Sequence, residues 1–390
     1  MAKLKGLNNN HLKTNNRGMV LRTIAGGRHS RTDIAQNMGL TKMAISKIVG
    51  ELFDDGYLVE KEADPTAAVG RTPVLLGISD SAPLAIGVYV ARSEIRALIC
   101  DLRLRTLFEE KTELRGETKD TLMQKIFALT DAAFAYLQKN RPENRLLGVG
   151  VSSISPLDPL KGRILAPTNF YGISDLDVVK EIGDRYGCPV YLDNDMNASA
   201  LAESIYGIGK KYDSFLYLGI TNGIGSGAIL DGRPFSDHSI TVGEIGHMCI
   251  NFDGPLCFCG NRGCLELYSD INVILDRLRR ETGESTLTPH DLERVSKKPG
   301  CALILRDMID KLSVALINAV NLLDTQCVVV GHEGAFLPDE YLKMLENKIN
   351  RGILAAQYKT VEVVRSTFLD AAPQLGGACL VLDRFFSGAN

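Results

Sequence analysis

The sequence predicts an α/β chain in which a small trihelical head precedes a much larger body of mixed sheets and helices. Three observations carry this. Residues 16–62 place apolar side chains at helical intervals, punctuated by glycines and capping residues. From about residue 83, apolar strand-like runs alternate with helical patterns. Between His247 and Glu266, one histidine and three cysteines stand among glycines at metal-ligand spacing.

In the head, Val20, Leu21 and Ile24 give the apolar face of a first helix over 16–27, which Gly26-Gly27 stop. Ser30-Arg31-Thr32-Asp33 reads as an N-cap with an acid at N3, opening a short second helix through Ile34, Ala35 and Met38. Gly39 supplies a turn that needs positive φ. Thr41 then caps a third helix, Lys42 to about Phe53, with Ile45, Ile48, Val49 and Leu52 inward. Residues 57–60 and 74–78 read as two strands, and the polar stretch between them, with Arg71, as a hairpin wing. This is the pattern of a winged helix-turn-helix. Its third helix would offer Thr41, Lys42, Met43, Ser46 and Lys47 to a DNA major groove, supported by Ser30 and Arg31, while Arg71 reaches a minor groove. A three-helix packing or protein-docking module is the alternative. Charge favours DNA: residues 1–62 carry ten Lys/Arg against six Asp/Glu (+4), the remainder 34 against 41 (−7).

The 390 residues suffice for two or three domains, and 45% hydrophobic with 23% charged residues is an ordinary globular composition. No apolar run approaches the roughly 18 residues of a membrane span, and the N-terminus lacks the apolar core of a secretory signal. Nine cysteines, clustered only near residue 257, point to a reducing cytoplasm and not to a disulfide framework.

The body opens with a hairpin, 84–90 and 94–100, followed by a helix over 121–139 and buried strands at 146–152 and 189–192. A helix over 196–206 and a strand at 215–220 come next. Asp193-Asn194-Asp195-Met196-Asn197 lies between a strand and a helix, where carboxylates and amides can meet sugar hydroxyls, or else simply form an Asx turn capping the helix. Asn222-Gly223-Ile224-Gly225-Ser226-Gly227 reads as a glycine-rich turn between strands, either a phosphate cradle or a tight hairpin. His247, Cys257, Cys259 and Cys264 (H-x9-C-x-C-x4-C) form a complete tetrahedral set for structural Zn²⁺, with no position open to activate water. Four buried, unligated side chains are the alternative. The metal would position a stretch bearing Glu244, His247 and Glu266.

With these motifs in order, the chain resembles the ROK family (repressors, open reading frames and kinases). The resemblance rests on Cys257-x-Cys259-Gly260-x-x-Gly263-Cys264-x-Glu266, Gly243-Glu244-x-Gly246-His247, Asn194-Asp195 and Gly223-x-Gly225-x-Gly227. It implies a two-lobed, actin-like and hexokinase-like body binding sugars between its lobes. The expected division is 1–80 for the winged head, 81–200 for a first lobe completed by about 370–390, and 201–369 for a second lobe with the zinc motif and a dimerisation surface. The family's sugar contacts match Asn194, Asp195, Glu244, His247 and Glu266, and Ser152 and Asn169 lie in regions that line the same pocket. Asp195 matches the kinases' general base and would survive as a hydrogen-bond partner, leaving no catalytic residue. One departure stands out. Kinases of the family carry an Asp-x-Gly-Gly-Thr phosphate motif in the first hairpin, whereas here Val88-Tyr89-Val90-Ala91-Arg92-Ser93 puts Tyr89 in place of the Asp and loses both glycines. The expectation is therefore a cytoplasmic, sugar-responsive repressor with a degenerate kinase body. It would bind palindromic operator DNA as a homodimer or tetramer and be released by a sugar or oligosaccharide inducer. The alternative is an active ATP-dependent sugar kinase carrying a DNA-binding head.

Overall fold

The structure, a computed structural model, describes residues 9–27, 29–61, 74–235 and 240–388. Arg71 lies outside the described residues. The chain folds as two compact units, residues 1–193 with 374–390, and residues 194–373. The head thus groups with the first unit, and the division expected near residue 200 falls at 193/194.

In the first unit, α1 (Asn9–Ala25) begins seven residues before the apolar pattern does. Residues 9–15 hold no apolar repeat to signal a helix, but no glycine or proline to prevent one either. After β1 (His29–Ser30), α2 (Arg31–Met38) opens with a full capping box: Ser30 Oγ accepts from the Asp33 N–H, and the Asp33 carboxylate accepts from the Ser30 N–H. Gly39 closes it at φ 63°. α3 (Lys42–Asp54) starts at Thr41, whose hydroxyl accepts from Ala44 N–H, and buries Ile45, Ile48, Val49 and Leu52. β2 (Leu58–Lys61) and β3 (Leu75–Ile78) pair antiparallel, and β3 also pairs with β1.

The larger sheet of this unit begins as an antiparallel meander, β4 (Leu84–Val90), β5 (Glu94–Cys100) and β6 (Thr106–Glu113). α4 (Lys119–Asn140) crosses over to β7 (Leu146–Ser153), parallel to β4. A short hairpin, β8 (Leu157–Asp158) and β9 (Arg163–Ile164), and α5 (Val178–Tyr186) lead to β10 (Val190–Asn194), giving the order β10-β7-β4-β5-β6. Ile86, Val88, Ile99, Val149 and Val151 bury one core against Leu122, Ile126 and Ala133 of α4.

The second unit repeats that plan. After α6 (Asp195–Tyr206) come β11 (Phe215–Thr221), β12 (Gly223–Leu230) and β13 (Arg233–Pro234), again an antiparallel meander. α7 (Glu266–Ser269), α8 (Ile271–Thr282), α9 (Leu292–Val295) and α10 (Pro299–Leu323) precede β14 (Cys327–His332), parallel to β11. α11 (Asp339–Gly352) and β15 (Glu362–Arg365) complete the order β13-β12-β11-β14-β15. Counted along the chain within each five-stranded sheet, both run third, second, first, fourth, fifth.

α12 (Ala372–Phe386) returns the chain to the first unit. It lies in backbone contact with the sheet: a Cβ on Gly150 would stand 1.9 Å from the Gly377 carbonyl oxygen. Its far end meets the head. Arg22 and Asp383 pair at 3.3 Å, and the rings of Tyr57 and Phe385 stand 5.9 Å apart, edge to face.

Candidate metal centre and the polar residues around the glycine strand

The segment after Gly243 is folded by its glycines and its own backbone. Gly263, at φ 63°, sits so close to Asn251 that a Cβ would stand 1.7 Å from the Asn251 carbonyl oxygen. Ile250 N–H donates to Gly263 and Cys257 N–H to Asn261, closing the loop on itself. This brings His247, Cys257, Cys259 and Cys264 together, with one donor atom from each within 4.8 Å of the others. Cys259 Sγ and Cys264 Sγ are 3.6 Å apart, and Cys257 Sγ and His247 Nδ1 3.7 Å. A tetrahedral ion with sulfur bonds of about 2.3 Å needs ligand–ligand edges of roughly 3.8 Å. The four side chains can therefore hold a metal ion. Burial pushes the Cys264 thiol up to about 12, while the Asn261 N–H lowers that of Cys259. Nδ1 is the histidine nitrogen turned to the sulfurs, which leaves Nε2 on the other side of the ring.

β12 ties the polar residues of the second unit together. Its first half is the glycine-rich segment, which of the two readings takes the tight hairpin: Thr221 stands opposite Gly223, so only Asn222 turns the chain. The glycines admit close neighbours. A Cβ on Gly227 would stand 2.3 Å from the Met196 carbonyl oxygen, and one on Gly225 2.8 Å from the Met196 side chain. The start of α6, with Asn194 and Asp195, therefore lies against the strand. Asn194 is the N-cap of α6, its side chain accepting from Met196 N–H at 2.9 Å, and Asp195 is buried. On another side, Ser226 donates through both N–H and Oγ to the Gly243 carbonyl, fixing the residue before Glu244. Gly246 packs on Ile224, where a Cβ would stand 2.2 Å from its carbonyl oxygen. Glu266 Oε2 accepts from Ile224 N–H at 3.3 Å, and Asp270 Oδ2 from Gly223 N–H at 2.5 Å. Segments bearing Asn194, Asp195, Glu244, His247 and Glu266 thus all rest on one strand. Met196 and Ser226 enter the sequence reading only as members of their motifs, and Asp270 does not enter it. Asp270 carries the one local signal, an N-cap residue in front of the apolar face of α8.

In the first unit, Ser152 is fully buried on β7 with Tyr89 of β4 as its cross-strand partner. Asn169 is exposed at φ 56° in a loop anchored by buried Phe170. That loop is clasped by the β4–β5 turn: Arg92 Nε donates to the Thr168 carbonyl and Tyr171 Oη to the Arg92 carbonyl, both at 3.0 Å. In the head, Thr41, Lys42, Met43, Ser46 and Lys47 form one exposed face, with Met43 81% exposed. Ser30 is buried and committed to its cap, which removes it from any DNA-facing surface. Arg31 pairs with Glu60 at 3.1 Å.

The model of the ROK family matches residues 85–384. This chain belongs to the ROK family. Residues 1–84, including the trihelical head, lie outside that match. The xylose repressor of Caldicellulosiruptor bescii is 27% identical over 98% of its length and 97% of this chain. The DNA-binding transcriptional repressor Mlc of Escherichia coli is 25% identical over 95% and 97%. Among solved structures, a ROK family transcriptional regulator homologous to Mlc superposes with a TM-score of 0.78 at 24% identity, covering 97% of this chain and 98% of that one. A ROK hexokinase from Thermus thermophilus gives 0.63 at 26% identity, covering 97% of its own chain but 76% of this one. The mixed α/β ROK sugar-kinase fold is thereby established for the body.

Proposed function

We propose that this protein is a sugar-responsive transcriptional repressor with a degenerate kinase body. What supports this is an assembled polar and metal-binding set beside turns whose groups are already engaged by the protein itself. Tyr89 stands near the end of β4 and Arg92 in the turn that follows it, and Arg92 is bonded to the Thr168 carbonyl. The N–H groups of Gly223 and Ile224 are bonded to carboxylates. Phosphoryl transfer depends on positioning and neutralising phosphate, and a carboxylate on the amides does the reverse. Relatives named as repressors align along nearly the whole chain, head included.

In this reading the head is a winged helix-turn-helix. Thr41, Lys42, Met43, Ser46 and Lys47 face operator DNA with Arg31, and Arg71 is assigned to a minor groove. Two chains bind a palindromic operator as a dimer. His247, Cys257, Cys259 and Cys264 hold a structural Zn²⁺, which staples the loop. Asn194, Asp195, Glu244, His247 and Glu266 bind the sugar, joined by Ser152 and Asn169, and Asp195 accepts a hydrogen bond without acting as a base. The protein works in the cytoplasm; no helix among the described residues is long and apolar enough to cross a membrane. Sugar and DNA couple because they favour different conformers, typically by about 1–3 kcal/mol. Fluorescence anisotropy of operator DNA with D-xylose, D-glucose and N-acetylglucosamine tests the reading, with ADP release measured in parallel. A sugar that lowers operator affinity supports it. Sugar-dependent ADP release would replace it with a working kinase.

A further inference from the structure

Two carboxylates one helical turn apart grip two consecutive amides of the glycine strand. Glu266 opens α7 and Asp270 follows its end, and their oxygens accept from Ile224 N–H and Gly223 N–H respectively. Asp270 divides its oxygens between two tasks. Oδ1 caps α8, accepting from Asn272 N–H at 2.7 Å and Val273 N–H at 3.3 Å, while Oδ2 takes Gly223 N–H. Gly223 sits at φ 121°, a region that glycine adopts readily and residues with a Cβ rarely do. The amide it fixes is adjacent to the one that orients Glu266. With Oε2 accepting from Ile224 N–H, one oxygen of the Glu266 carboxylate is tied to the strand.

We infer that Asp270 is a positioning residue of the sugar site: by pinning Gly223 to the N-terminus of α8, it holds β12 in the register that aims Glu266. The glycine segment is then a scaffold for a sugar ligand and not a cradle for phosphate. Both the capping oxygen and the strand-holding oxygen are needed, which is why a carboxylate stands here: a serine would supply one oxygen and an asparagine one acceptor. This rests on the reading of Glu266 as a sugar ligand.

Asp270→Asn separates the two tasks. Asparagine caps helices as well as aspartate does, so α8 keeps its cap, but the amide nitrogen it turns to Gly223 N–H is a donor facing a donor. In the full-length protein, amide exchange at residues 223–224 should accelerate by roughly tenfold or more, and sugar affinity by calorimetry should fall about tenfold. The melting temperature and sugar-free operator affinity should stay close to wild type. D-Xylose, D-glucose and N-acetylglucosamine are the probes. A wild type that binds none of them removes the sugar reading and this inference together. A wild type that binds one, beside an Asp270→Asn protein that exchanges faster yet binds equally well, overturns the inference alone. Unchanged exchange at 223–224 overturns it too.

Discussion

At His332 the backbone takes φ 54° and ψ −144°, a conformation few residues other than glycine adopt. The imidazole is buried, hydrogen-bonded through Nδ1 to Tyr217 Oη at 3.1 Å, and its Nε2 has no partner among the described residues. Burial holds it at about 4, below its ordinary 6.5. Because the folded state binds the proton less tightly than the unfolded one, this residue's contribution is complete above pH 6.5 and is lost as pH falls towards 4. Urea titrations at pH 7.5 and 5 should show the wild type losing about 2 kcal/mol more than a His332→Asn variant. Asparagine does not titrate, and its own backbone strain at this position is the same at both pH values, so equal losses would mean that His332 is protonated without penalty. The thiol ligands behave in the opposite sense. Cys264, raised by burial to about 12, must surrender its proton to a metal, so metal affinity should rise with pH. Cys259→Ser should reduce bound zinc from about one per chain to near none and lower the melting temperature. Metal retained at full stoichiometry by elemental analysis would remove the staple argument.

Between elements, what the sequence revealed depended on how local the cause was. The capping box of Ser30 and Asp33, the left-handed Gly39 and the Thr41 cap are signals spanning three or four residues, and each is found where its pattern stands. The start of α1 is missed because polar residues carry no periodicity. Asn222–Gly227 was open to either a cradle or a hairpin; the hairpin prevails through contacts with Met196, Gly243 and Asp270 that no window of sequence contains. The cysteine loop was legible because its spacing is itself the geometry, whereas the clasp of Arg92 on Thr168 spans 76 residues. The docking of α1 on α12 was likewise unreadable, although Gly18 marks it: a Cβ there would stand 1.7 Å from the Phe386 carbonyl oxygen. Gly18→Ala should therefore destabilise the protein by about 1–3 kcal/mol through forced separation of the two helices. Gly50→Ala, in α3 with nothing within 4 Å, should stabilise by roughly 0.5–1 kcal/mol because alanine is the better helix former. Chemical denaturation of both variants checks the pair; a Gly18→Ala protein as stable as wild type would mean that α1 is free to slide on α12.

For the whole molecule, charge is the property that separates head from body. The first 62 residues carry +4 and the rest −7, so net charge favours a polyanion at the N-terminal module over the rest of the chain. Operator binding should therefore weaken steeply with salt, and the slope counts phosphate contacts at about 0.9 per neutralised phosphate. Lys47 stands on the exposed face of α3, beyond the buried Ile45 and Ile48. As a phosphate contact it would be used once per head, so Lys47→Ala should lower the magnitude of the slope by about 1.8 when two heads bind and by about 0.9 when one does. The same variant thus reports the symmetry of the complex as well as the role of the side chain. Affinity should fall by a similar factor on operator and on unrelated DNA. A loss confined to the operator would make Lys47 a reader of base edges, and an unchanged slope would remove α3 from the DNA interface.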